Sequence, residues 1–317
     1  MTATGLTPAD RARLTRGAAY ASIAMATFLV GSKAWAVLQT GSTAMLGSLA
    51  DTGLDLVASI ATLVGVWIAA MPADENHRFG HGKAEALAAM FQVVLITLSA
   101  VGIATRAIGQ LVAGGRVESA NEGIAVSLVA IAATFALLAW QRYVIRRTGS
   151  LAIKTDNVHY KSDLFLNLSV IAALVLDRLI GVAGADAAFG LGIALWLAWG
   201  AWRASSEAID HLMDKEWPEE RREAFVAVIA SHPELRGVHD LRTRTSGAHD
   251  FAQFHAAVDP AMTVAEAHRV MDELEAQIEA EFPGVEVLIH PDPEGLVDET
   301  GSAAEELLPD AGSAPAR

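Results

Sequence analysis

The sequence predicts an α-helical membrane protein with six transmembrane helices, followed by a small cytoplasmic α+β domain of two-layer, metallochaperone-like build. Residues 18–204 form a succession of long apolar runs, whereas the chain from Glu207 onward has the charge density of an aqueous domain. The runs are about 20 residues or longer, enough to cross roughly 30 Å of hydrocarbon as helices. Lys and Arg gather in every second connection between them. Composition alone says less. Of 317 residues 52% are hydrophobic, a modest excess over the about 45–50% of soluble domains. The expected domains are 1–206 in the membrane, 207–294 as a cytoplasmic α+β domain, and 295–317 as a disordered acidic tail.

The first run, 16–38, follows Arg11, Arg13 and Arg16. It is too long for a signal peptide and lacks a small-residue cleavage site, so it reads as a first transmembrane helix. Gln39-Thr40-Gly41-Ser42 separates it from the second run, 44–71, and a polar stretch leads to the third, 84–112. Gly114-Gly115-Arg116 precedes the fourth, 122–143; the fifth is 150–180, and Gly181-Val182-Ala183-Gly184 precedes the sixth, 185–204. Basic residues mark the N-terminal arm, the second-to-third loop (Arg78, Lys83) and the fourth-to-fifth connection (Arg142, Arg146, Arg147, Lys154). Cytoplasmic loops carry that excess, so a multi-pass protein of the inner (cytoplasmic) membrane with both termini cytoplasmic is expected.

Lys215-Glu216-Trp217-Pro218 opens the aqueous part. A helix over 218–231 is followed by strands over 238–245 and 250–258, which turn at Ser246-Gly247-Ala248. A strongly periodic helix over 264–281 stops at Pro283-Gly284 before a last strand, 285–290. Beyond Gly295 the Gly, Ala, Ser, Glu and Pro content predicts disorder.

A net charge of −14 without a basic patch excludes a nucleic-acid partner. The absence of cysteine excludes disulfides and thiolate metal sites and argues against copper(I). No His-Glu-x-x-His stretch is present, which argues against a metalloprotease and for a protein that is not an enzyme.

Ionisable residues inside spans cost roughly 2.5–3.5 kcal/mol each, so they mark function. Asp51 and Asp55 in the second run, and His159 and Asp163 in the fifth, are i, i+4 pairs that each lie on one helix face. Facing each other, they offer three carboxylates and one imidazole, a set suited to a tetrahedral Zn²⁺-like ion. Asp156 and Asp186 read as caps or interfacial residues, Lys33 as a snorkelling side chain, and Arg106 as lying near a span end. In the second-to-third loop Asp74, His77 and His81 form a compact three-ligand set. The aqueous domain holds His239, His255, His268, His290 and Asp292 on strand ends and one helix, with His290-Pro291-Asp292 the sharpest cluster. His211, His232 and His249 read as ordinary residues.

Together these residues resemble the cation diffusion facilitator family, in its bacterial zinc and iron efflux branch, from the first span to about Asp292. The resemblance is carried by Ser48-Leu49-Ala50-Asp51-Thr52-Gly53-Leu54-Asp55, by Phe79-Gly80-His81-Gly82-Lys83-Ala84-Glu85, by Asn157-Val158-His159-Tyr160-Lys161-Ser162-Asp163, by His239-Asp240-Leu241-Arg242-Thr243-Arg244 and by Ile289-His290-Pro291-Asp292. It implies a homodimer in the lipid bilayer that exchanges a divalent metal ion, zinc first and Cd²⁺, Fe²⁺ or Co²⁺ as alternative substrates, for protons. It implies a transport site of Asp51, Asp55, His159 and Asp163 and a loop site of Asp74, His77 and His81. It further implies a cytoplasmic binuclear site of His239, His255, His268, His290 and Asp292, and a charge interlock between Lys83 and Asp214. Pro291 and the acidic tail depart from the family pattern. The alternative expectation is a metal sensor or a non-transporting partner subunit of the same fold.

Overall fold

The computed structural model describes residues 6–40, 43–112, 124–180, 185–295 and 306–308. Six helices come first: α1 (Pro8–Thr40), α2 (Thr43–Ala69), α3 (Ala84–Val112), α4 (Ile124–Thr148), α5 (Leu151–Ile180) and α6 (Ala185–Leu212). The shortest has 25 residues, and at about 1.5 Å per residue each exceeds the roughly 30 Å hydrocarbon thickness. Among the described residues, the stretches Ala9–Gln39, Thr52–Ala69 and Ala84–Val112 are long and apolar enough to cross a membrane by composition alone. The remaining helices have polar interior positions or charged ends, such as Asp156 and His159 on α5 and Arg146 and Arg147 on α4.

The helical unit is built inside out. On α3, Leu87, Phe91, Val94, Leu98 and Val101 are exposed at three- and four-residue spacing, while Ala86, Ala89, Val93, Ile96 and Ala100 are buried on the other face. α2 repeats the pattern with Leu54, Val57, Ile60, Val64 and Trp67 outward. Lipid tails are as apolar as leucine, so helices in a bilayer associate through small residues and polar contacts rather than by hiding large apolar side chains. Gly65 shows how close the approach is. A Cβ there would lie 2.3 Å from the Cβ of Ala88 on α3.

The expected boundary at residue 206 moves to Leu212, where the first of two compact units ends. The reason is local. Ala204 and Ala208 keep α6 packed beyond its apolar stretch, with Ala208 buried against Ala86, Ala89 and Leu151.

The second unit contains α7 (Glu219–Ala230), β1 (Gly237–Ser246), β2 (His249–Val258), α8 (Val264–Glu281), β3 (Val285–Pro293) and a short β4 (Glu306–Leu308). The sheet order is β3-β2-β1-β4, antiparallel except for the parallel β2–β3 pair. Gly247, at φ 62°, makes the predicted tight turn between β1 and β2. β3 continues past its expected end at residue 290 through Pro291 to Pro293. It is an edge strand, where a missing amide hydrogen is tolerated. Three residues of the tail expected to be disordered, Glu306–Leu308, pair with β1, Val238 opposite Leu308. The rest of that tail lies outside the described residues.

Strand alternation sorts the two faces of this sheet. Val238, Phe254, Ala256, Val285, Val287 and Ile289 pack with Phe225, Ile229, Val270, Leu274 and Ile278 of the helices. Phe225 meets Phe254, Phe282 and Trp217 edge-on. The intervening residues, His239, His255, His290 and Asp292, therefore fall on the face away from the helices.

Candidate metal centres

Each predicted cluster owes its geometry to a different element. In the helical unit, Asp55 on α2 and His159 and Asp163 on α5 present ligand atoms all within 4.8 Å of one another. His159 Nε2 lies 3.0 Å from Asp55 Oδ1 and 3.6 Å from Asp163 Oδ2. That nitrogen is buried and makes no aligned hydrogen bond, so it faces two carboxylates without being satisfied by either. The side chains of Asp55 and Asp163 remain 22% and 29% exposed, which leaves the cluster open on its carboxylate side. Asp51 lies on α2 one turn before Asp55; its side chain is outside the described residues.

A buried polar network sets the rotation of α5. Tyr160 donates its hydroxyl to the Ser22 carbonyl of α1 at 2.9 Å and lies 3.0 Å from Ser59 Oγ of α2. Asp156, expected to be a cap or an interfacial residue, is instead fully buried. It accepts hydrogen bonds from Ser22 Oγ at 2.6 Å, Gln141 Nε2 at 2.8 Å and Gln92 Nε2 at 3.0 Å. Gln92 Nε2 also donates to Thr62, and Gln141 accepts from Asn157. Four helices thus converge on one carboxylate, and α2 joins them through Thr62, as the cost of an unsatisfied polar group in a low dielectric requires. The signal was available: Asp156 lies one turn before His159, with Gln92 and Gln141 inside other spans.

Lys33 is the second reassignment. Its ammonium does not snorkel outward but donates to Thr52 Oγ1 at 2.6 Å, and Thr52 is buried. The first turn of α5 is also tied down: Glu85 of α3 accepts from Ser150 Oγ at 2.9 Å and from the Leu151 amide at 3.2 Å. A carboxylate at a helix N-terminus satisfies orphan amides and complements the dipole.

The loop cluster is self-contained. Asp74 Oδ1 accepts the amides of His77 at 2.7 Å and Asn76 at 2.9 Å and lies 3.3 Å from His77 Nδ1. Those amides, His77 first, hold the Asp74 carboxyl below the usual carboxylate range. His81 Nδ1 donates to the Pro72 carbonyl at 3.2 Å, which turns the Nε2 lone pair toward Asp74 Oδ2 at 3.3 Å.

In the second unit, sheet register builds the cluster. His239 pairs with His255 and His255 with His290, so three imidazoles form one row across β1, β2 and β3. Asp292, two residues along β3, closes the row with both oxygens. Its Oδ2 lies 2.7 Å from His255 Nδ1 and 3.4 Å from His239 Nε2, and its Oδ1 lies 3.2 Å from His290 Nε2. A β-bulge follows His239, where Asp240 takes φ 49° and brings its Oδ2 within 4.0 Å of His255 Nε2. His268 stands apart from the row, exposed on α8 with Asp272 at 3.8 Å. Of the expected interlock, Lys83 donates to the Leu212 carbonyl at 3.2 Å, and Asp214 lies 3.6 Å from Arg244.

Two family models match the chain: the cation efflux transmembrane domain over 19–213 and the cation efflux protein cytoplasmic domain over 217–294. A cation-efflux pump FieF of Klebsiella pneumoniae subsp. pneumoniae is 40% identical over 285 residues, covering 90% of this chain and 95% of its own. One from Escherichia fergusonii is 39% identical over 293 residues, covering 92% and 97%. Among solved structures, the Zn form of CzrB, a proposed zinc transporter, is 40% identical over 27% of this chain and 98% of its own, with a TM-score of 0.24.

Proposed function

Because the chain belongs to the cation diffusion facilitator family of membrane cation transporters, we propose that it exports a divalent metal ion, zinc foremost, in exchange for protons. The observation that carries this reading is the Asp55, His159 and Asp163 cluster inside the helical unit. With Asp51 it supplies three carboxylate oxygens and one imidazole nitrogen. One nitrogen among oxygens favours Zn²⁺ and Cd²⁺, with Fe²⁺ and Co²⁺ next, whereas an all-oxygen set favours Mn²⁺ or Mg²⁺.

Proton coupling follows from the same atoms. A metal ion needs the carboxylates deprotonated and His159 Nε2 with a free lone pair, so a proton and a metal ion exclude each other there. Asp55 and Asp163 stand 3.0 and 3.6 Å from His159 Nε2, so the three side chains converge on one ion position, and Tyr160 and Asp156 fix the helix that carries the imidazole. When the site opens to a side richer in protons, protonation displaces the ion. The protein works as a homodimer in the inner membrane, termini cytoplasmic, with Lys83 and Asp214 as an interlock near the membrane surface. The sheet cluster, joined by His268, takes two ions bridged by Asp292 and stabilises the dimer when cytoplasmic metal is plentiful. The loop cluster binds a further ion.

Zinc uptake into proteoliposomes under an imposed pH gradient tests this reading. Saturable zinc movement with opposing proton movement, lost in Asp55→Ala, is expected. Zinc binding without flux in folded, oriented protein would replace it with a sensor or partner subunit.

A further inference from the structure

We propose that Lys33 is a resident counter-cation of the transport site, fixing its net charge at the value that a divalent ion cancels. The inference rests on the transport-site reading above.

A lysine in a bilayer span normally extends along the helix to place its ammonium in the interface. Lys33 does the opposite. Its Nζ is held by Thr52 Oγ1 at 2.6 Å, a buried hydroxyl on α2 next in sequence to Asp51 and one turn before Asp55. One cation on α1 is thus directed at the stretch of α2 that carries Asp51 and Asp55. Thr52 thereby keeps the ammonium on the turn of α2 that precedes Asp55.

The charge balance follows. Asp51, Asp55 and Asp163 bring three negative charges, and neutral His159 brings none. Lys33 cancels one of them. The remaining two equal the charge of a divalent cation, so the loaded site is neutral in surroundings that penalise net charge. Asp156 belongs to a separate network, satisfied by Ser22, Gln92 and Gln141. Without Lys33 the loaded site keeps one uncompensated negative charge. It then holds a divalent ion more tightly and lets it go more slowly.

The test is zinc transport kinetics in proteoliposomes for wild type, Lys33→Gln, Lys33→Met and Lys33→Arg, with Asp55→Ala alongside. In both neutral variants KM is expected to fall about tenfold and kcat to fall with it, because one unit charge at this range dominates binding. Lys33→Arg keeps the charge and should restore both constants. A purely structural role predicts the opposite sign, since a loosened site binds more weakly. An unchanged or raised KM in either neutral variant, or an arginine variant that behaves like glutamine, overturns the proposal while wild type transports and Asp55→Ala does not. If Asp55→Ala transports as wild type does, the site itself is misplaced, and the role of Lys33 falls with it.

Discussion

The helical unit and the sheet unit each gather aspartate and histidine into a metal-sized cluster, yet they do so by different geometry. In the helical unit the ligands come from i, i+4 faces of α2 and α5. His159 is buried there, and Ser59, Gln92, Gln141 and Asp156 form a polar scaffold around α5. In the sheet unit the ligands come from one cross-strand row, His239, His255 and His290, closed by Asp292 and facing away from the core. The first cluster cannot change without moving helices, because its supports lie on several of them. The second sits on a rigid sheet whose apolar core is independent of it. A site meant to release its ion at each turnover belongs on elements that can shift, and a site meant to sense or clamp belongs on elements that do not.

That contrast can be broken in order of expected effect. His159→Ala should reduce zinc flux by about a hundredfold or more, as loss of a ligand in a low-dielectric site implies. Zinc-induced thermal stabilisation of the sheet unit should survive the same change. Loss of both would mean that the two clusters are one functional site.

Asp156→Ala removes an acceptor used by three buried donors. Each donor keeps a second partner (the Ala18 carbonyl for Ser22, Thr62 for Gln92, Ser22 for Gln141). Losing hydrogen bonds to a charged acceptor still costs about 1.5–3 kcal/mol each, so the purified protein should unfold at lower temperature. Asp156→Asn should recover part of the loss, because one of its amide atoms still accepts. An unchanged melting temperature in the alanine variant would show that the network does not hold α5.

A smaller effect concerns pH at the loop. The His77 and Asn76 amides lower the Asp74 pKa, so the local stability of this carboxylate is fully present at neutral pH. It is lost only as pH falls through the lowered value, beneath the usual carboxylate range. Asp74 should therefore stay ionised, and able to hold a loop-bound ion, through the usual carboxylate range of about pH 4. The pH dependence of zinc binding, compared with Asp74→Asn, checks this; a midpoint near pH 4 would contradict it.

The smallest effect lies in α8 of the sheet unit. Thr263 and Glu266 form a capping box, the Thr263 amide donating to Glu266 Oε2 at 2.7 Å. Thr263→Ala should cost about 1 kcal/mol in chemical denaturation and leave transport unchanged.

How much of this was legible follows the same division. The i, i+4 pairs announced the helical cluster, because helix periodicity converts spacing directly into a shared face. Asp156 and Lys33 were misread, because a single charge in a span does not reveal where its partners lie, and Thr52, Gln92 and Gln141 are distant in sequence. In the sheet unit the strands and their turn were readable. His239, His255, His290 and Asp292 were readable as candidate ligands, but their alignment in one row was not, because register depends on pairings made at long range. His268 was readable as a histidine on a periodic helix, and it lies exposed on α8 with Asp272 at 3.8 Å.

The most direct test sets the two clusters against each other in one assay: saturating zinc flux in proteoliposomes for Asp163→Ala and His255→Ala. Asp163→Ala is expected at background, and His255→Ala should keep a substantial share of wild-type flux, with its loss concentrated at low zinc. Background flux in His255→Ala, or wild-type flux in Asp163→Ala, would contradict a transport site located on α2 and α5.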